Sequence, residues 1–246
     1  MIDVFKAMCY RIYKSRVVYY ALFFAVAFAV AISFTALNQD EVSDNAIIYG
    51  IFDNITIMGM TMILVFISIY QCNDFKNKTL YYEVMGGHSR IEVFTGRLTS
   101  LTLFSVIICN IQIWLSIVML NLWMNVEFFK DGVIISTLKI IGAELLVLAY
   151  IIYFITCSFI GKNFIVTLSL GWAGIVISQL TSLLNRFDII KSGIKVSYIF
   201  GSRVIAFLFA ENFSVSQFLS SSVISLMIIF ICILIGKNNF KNSDLH

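Results

Sequence analysis

Asn73-Asp-Phe-Lys-Asn-Lys-Thr-Leu-Tyr-Tyr-Glu-Val-Met-Gly-Gly-His-Ser-Arg-Ile-Glu-Val-Phe-Thr-Gly-Arg97 is the longest polar segment of a chain that is 60% hydrophobic. Apolar runs of membrane-spanning length flank it on both sides. The segment also has order of its own. From Thr79, the apolar positions Leu80, Tyr81, Val84 and Met85 recur at helical period. Gly86-Gly87 then ends that helix, because glycine enters the left-handed conformation without a Cβ clash. Ser89-Arg90-Ile91-Glu92 follows as S-x-x-E, a capping box in which serine and glutamate exchange hydrogen bonds with each other's backbone N–H. The pattern predicts a short exposed helix, a break, and a freshly capped helix that runs into the next apolar stretch. Such a piece suits a part pushed from outside the membrane.

Working outward, the composition excludes an ordinary soluble domain. Charged residues make up 13% of the 246 and the mean hydropathy is +0.93, against roughly 25% charged in soluble proteins. A polytopic membrane protein accounts for both figures. The first apolar run is too long for the core of a signal peptide and lacks a small-residue cleavage site, so none is expected. The five cysteines, Cys9, Cys72, Cys109, Cys157 and Cys232, have no metal-ligand spacing and read as free buried thiols. Proline is absent, which removes the usual cause of a sharp kink.

Residues 1–16 form a basic amphipathic segment, with Phe5, Met8, Cys9, Ile12 and Tyr13 on one face and Asp3, Lys6 and Lys14 on the other. It most simply lies in the headgroup plane as an interfacial elbow helix, the alternative being a solvated leader ending in a positive-inside anchor. Six runs reach the ~17–25 residues that a helical crossing needs: 17–37, 55–72, 98–123, 138–160, 164–184 and 218–235. Lysine and arginine set the orientation. With the N-terminus inside, the cytosolic segments hold Lys6, Arg11, Lys14, Arg16, Lys76, Lys78, Arg90, Arg97, Lys162, Lys237 and Lys241. The outer ones hold Lys130, Arg186, Lys191, Lys195 and Arg203, with Lys139 at the edge of the fourth run. Both termini are therefore expected in the cytosol, as is the segment 73–97. The stretch 185–217 is long for a connection, and Arg203 interrupts its apolar part 194–210. It is expected to re-enter the outer face, the alternative being a seventh crossing.

No sequence pattern in the chain is catalytic. There is no phosphate-cradling P-loop, no H-E-x-x-H and no G-x-S-x-G, and the two histidines are His88 and His246. Glu144 is the one acid well inside a span. It is a candidate for a transport path, or satisfies itself with Lys139, a serine or water. Gly174, Ser178 and Ser182 follow one another at four-residue spacing, with Thr167 and Gly171 as a second small pair. Small residues at this spacing let helices approach closely, either between two copies of the chain or within one.

Taken together, these features resemble the permease subunit of ATP-binding-cassette (ABC) exporters of the ABC-2 type. The resemblance covers essentially the whole chain: all-α and polytopic, with a basic elbow, six spans, a long segment between the second and third, and an outer re-entrant hairpin. Lys78-Thr-Leu-Tyr-Tyr-Glu-Val-Met-Gly-Gly-His-Ser-Arg90 is similar to the family's coupling helix, with Gly86-Gly87 where the family often has proline. The unfused format is similar to bacterial subunits that handle bacteriocins, lantibiotics or amphipathic peptide toxins, for export or immunity.

The resemblance implies a mechanism and partners. Two copies of a separate soluble ATPase, which bind the ATP and Mg, would press on the coupling residues Thr79, Leu80, Tyr81, Tyr82, Glu83, Val84, Met85 and Gly86. Two permease copies, or this chain and a paralogue, would then switch access around an apolar cleft in the bacterial plasma membrane. In relatives the second and fifth spans line that cleft, which makes Met58, Met62, Trp172 and Gln179 candidates beside Glu144. No cofactor is expected on this chain, no enzymatic activity of its own, and no nucleic-acid partner. Tyr82→Ala or Glu83→Ala is expected to uncouple the ATPase and leave the protein folded. A sensor or assembly subunit and a secondary transporter remain the rival classes. The latter would usually show repeats or broken half-helices.

Overall fold

The computed structural model describes residues 2–37, 44–124, 133–186 and 215–242. Among them every element is helical: α1 Ile2–Lys14, α2 Arg16–Leu37, α3 Asp44–Lys76, α4 Thr79–Met85, α5 Arg90–Met124, α6 Val133–Gly161, α7 Phe164–Arg186 and α8 Val215–Asn242. The expected outer re-entrant stretch and the loop around Lys130 lie outside the described residues.

The helices overrun the apolar windows from which they were expected. α3 starts at Asp44 rather than near residue 55 and continues through Asn73 to Lys76, and α5 begins at Arg90 rather than near residue 98. A hydropathy window ends where side chains turn polar. The backbone helix ends only where its hydrogen bonds are interrupted or capped. About half of the segment 73–97 is therefore the ends of two long helices, with α4 between them.

Among the described residues, four stretches are long and apolar enough to cross a membrane: Ile57–Lys76, Arg90–Met119, Thr137–Gly161 and Ser221–Asn242. α1 and the following stretch to Ala31, bent by 62°, make a fifth if the pair is one span. α7 has a shorter apolar part, Phe164–Ile177. Six crossings were expected, and four to five meet the criterion. The bend has a local cause. Ser15 separates the two helices, and its Oγ accepts from the N–H of Val17 at 3.2 Å, an N-cap for α2.

The interior is largely apolar with some polar residues among it, and the outer faces are apolar too, unlike those of a water-soluble bundle. Ser68, Gln71, Ser100, Ser105, Gln112 and Ser116 are buried, while Phe23, Ile165, Leu226, Met227 and Phe230 are exposed. Outward apolar faces over a partly polar interior suit a lipid surround, where the helix backbone satisfies itself. Several hydroxyls bond to carbonyls one turn back, as Ser116 does to Gln112 and Ser225 to Ser221. Others bridge helices: Thr156 on α6 donates to the carbonyl of Cys232 on α8 at 3.1 Å, and Tyr153 on α6 donates to that of Leu170 on α7 at 2.7 Å. This is the build of a multi-pass membrane protein.

Contacts at one end of the bundle fix its directions. The rings of Phe75, Phe94, Phe159 and Phe240 meet there, bringing together the end of α3, the start of α5, the end of α6 and the end of α8. α7 starts at the same end, where Thr167 lies against Cys72. Six long helices thus alternate in direction, and α1 and the end of α8 both sit at the α4 end. Val4, Met8 and Ile12 form the buried face of α1, with Val4 against Gly96 of α5, where a Cβ on the glycine would meet Val4 Cγ1 at 2.9 Å. Of the expected apolar face, Met8 and Ile12 are buried, Phe5 and Cys9 partly so, and Tyr13 is 64% exposed. The room that Gly96 leaves adds Val4 to the buried face.

Candidate functional site

α4 is built largely as its sequence predicts. Lys78 precedes it in the left-handed conformation (φ 54°) and Gly86 follows it at an ordinary φ of −71°. Gly87 is the glycine that needs its freedom, at φ +96°. The N–H groups of Gly86, Gly87 and His88 close the helix end on the carbonyls of Tyr82, Val84 and Glu83. The capping box then starts α5: Ser89 Oγ accepts from the Glu92 N–H at 3.3 Å, and Glu92 Oε2 accepts from the Ser89 N–H at 3.0 Å.

The two faces of α4 differ in kind. Leu80 is 1% exposed and anchors the inner face, where Thr79, Glu83 and Val84 are half-buried. Tyr82 and Met85 are 66% and 68% exposed. With Tyr81 and Lys78 they occupy successive positions on one helical face. The Tyr81 and Tyr82 rings meet edge to face at 5.8 Å. Unlike the apolar faces of the long helices, this one sits at the polar end of the bundle.

Behind α4 lies a group of charges that sequence reasoning did not assemble. Arg97, on the second turn of α5, is fully buried. Its Nε and Nη2 donate to the two carboxylate oxygens of Glu83 at 3.0 and 2.6 Å. Its Nη1 donates to Asp74 Oδ2 at the end of α3. The same oxygen accepts from Arg11 Nη2 on α1, and the Arg11 guanidinium lies over the Tyr70 ring, 5.3 Å from its centre. Burial alone would lower the basicity of Arg11, but Asp74 and Tyr70 outweigh it and the net shift is upward. Two cations and two anions thus join α1, α3, α4 and α5. A buried charge is tolerated only when paired and hydrogen-bonded, and the planar guanidinium fork supplies several bonds at once. Arg97 entered the sequence reading as an orienting charge and Asp74 as a polar residue of the segment, neither as part of a buried group. The available signal was an arginine standing at the start of an apolar run.

The remaining candidates separate. Met58 and Trp172 are exposed, and Met62 and Gln179 are half-buried. They sit on α3 and α7, which pack together through Cys72 with Thr167 and Leu64 with Gly171. Glu144 is held elsewhere: it accepts from Asn110 of α5 at 3.2 Å, at the contact between α5 and α6. Gly174 packs within the chain, where a Cβ would meet the Tyr153 ring at 2.5 Å, and Gly171 likewise serves Leu64. The side chains of Ser178 and Ser182 lie outside the described residues. Cys72, Cys109, Cys157 and Cys232 are free and buried, and Cys9 is free and partly buried. Among the described residues no group of His, Cys, Asp or Glu could hold a metal ion.

No protein-family model matches the chain, and no curated protein is similar to it in sequence.

Proposed function

We propose that this chain is the permease subunit of an ATP-driven exporter of the ABC-2 type. In this reading the six long helices cross the bacterial plasma membrane, both termini are cytosolic, and α4 is the coupling helix. The observation that carries the reading is the two-sided build of α4, with Tyr81, Tyr82 and Met85 outward and Glu83 inward on buried Arg97. An exposed aromatic and methionine face at the polar end suits docking of a separate subunit. The paired charges give a push on α4 a rigid route into α1, α3 and α5.

Two soluble ATPase subunits would bind ATP and Mg and drive a pair of these chains, identical or paralogous. The surface of α3 and α7 bearing Met58, Met62, Trp172 and Gln179 would face the central cleft. Its apolar character points to amphipathic or apolar cargo such as peptides, bacteriocins or peptide toxins. Glu144, tied to α5, is set aside from this path.

The test is purification of the tagged chain from its native membranes in mild detergent, with mass spectrometry and an ATP-hydrolysis assay of the product. A stoichiometric soluble ATPase is expected. Recovery of the chain alone, or with a partner that hydrolyses no ATP, would instead favour a sensor subunit or a secondary transporter.

A further inference from the structure

The last turns of α8 hold a feature that coupling leaves unused. Where the apolar run ends, Leu234, Ile235, Lys237, Asn238 and Lys241 line an open cavity of about 470 Å³. Lys237 and Lys241 are four residues apart and so share a face, and both are exposed. Outside the lining, Arg90 Nη1 donates to the Lys241 carbonyl at 2.7 Å and ties the start of α5 to this turn. One helical turn deeper, Leu234 and Ile235 are 48% and 49% exposed. The cavity is therefore cationic at its rim and apolar at its wall, where the apolar run of α8 gives way to polar residues.

We propose that this cavity binds the phosphodiester headgroup of an anionic phospholipid. Lys237 and Lys241 contact the phosphate, the Asn238 amide supplies a neutral donor, and Leu234 and Ile235 seat the first acyl methylenes. A free phosphate ion would satisfy the lysines but would leave the apolar wall uncovered. Basic pockets at the cytosolic ends of membrane helices recognise anionic headgroups by this combination of charge and adjacent lipid. The inference rests on the membrane character of the chain and is independent of the transport reading.

The experiment exchanges the intact protein into nanodiscs of mixed phosphatidylcholine and phosphatidylglycerol, extracts it in mild detergent, and counts retained lipids by native mass spectrometry. Wild type is expected to retain phosphatidylglycerol selectively. Lys237→Gln/Lys241→Gln is expected to bind it roughly tenfold or more weakly, and Lys237→Arg/Lys241→Arg to keep it. Lys6→Gln/Lys76→Gln, which removes two exposed lysines elsewhere at this end of the bundle, should leave retention unchanged. Equal retention by wild type and the double glutamine variant would overturn the proposal. So would an equal loss in the control variant, equal retention of phosphatidylcholine, or displacement of the lipid by inorganic phosphate alone.

Discussion

Arg97, fully buried on α5, grips both carboxylate oxygens of Glu83 on α4 at 3.0 and 2.6 Å. This bidentate pair joins the short helix to a long one at a single rigid point, and Asp74 extends the joint to α3 and α1. Bidentate guanidinium–carboxylate pairs fix orientation as well as distance, which is what a lever needs at its fulcrum.

Removing the fulcrum should be costly. Arg97→Met leaves Asp74 and Glu83 short of their shared cation, and truncating one side of a buried pair costs about 3–5 kcal/mol. Thermal unfolding in detergent should show it as a large fall in midpoint. Arg97→Lys keeps the charge but loses the fork and should also be destabilised. Replacing the group together, Arg97→Met with Asp74→Leu and Glu83→Met, should recover much of the stability and, under the proposed function, not the coupling.

Tyr82 and Glu83, equivalent in the sequence reading, are separated by the structure. Glu83→Ala deprives a buried arginine and should cost about 1–3 kcal/mol, so it is not the fold-neutral probe it was expected to be. Tyr82→Ala truncates an exposed ring and should stay within about 0.5 kcal/mol. Melting curves of the two variants, run side by side, check the distinction.

Gly174→Val places methyl groups against the Tyr153 ring, beside the hydrogen bond from Tyr153 to the Leu170 carbonyl. Overpacking of this kind costs about 1–3 kcal/mol. Unfolding of the detergent-solubilised chain should show the loss. Unchanged melting would mean that α6 and α7 can part at this point.

Gln71 is fully buried, and neither amide atom has a hydrogen-bond partner among the described residues. Replacing an unpaired buried polar group by an apolar one of similar size removes its desolvation cost. Gln71→Leu should therefore raise stability, by about 1–2 kcal/mol, a gain readable in the same melting assay.

What was legible in the sequence was local. The start of α4 at Thr79, the stop at Gly86-Gly87 and the Ser89–Glu92 capping box involve residues within four positions of one another, and their hydrogen bonds lie where the pattern put them. The Arg97 group joins positions 14, 23 and 63 residues apart, brought together only by packing, and no periodicity announces it. Val4 was missed from the elbow face for the same reason: it is buried because Gly96, far along the chain, leaves room for it. Helix limits such as Asp44 escaped because hydropathy records where lipid ends, not where backbone hydrogen bonding does. The small residues of α7 stood open between two uses until Gly171 and Gly174 were seen against Leu64 and Tyr153.

The central claim is that the outward face of α4 docks an ATP-hydrolysing subunit. Its most direct measurement is affinity purification from native membranes of wild type, Tyr82→Asp/Met85→Asp and a control, Lys6→Gln, with the co-purifying ATPase quantified. The account predicts a stoichiometric ATPase with wild type and the control, and its loss from the double variant at unchanged melting temperature. An ATPase retained in full by the double variant, or absent from wild type, would contradict it.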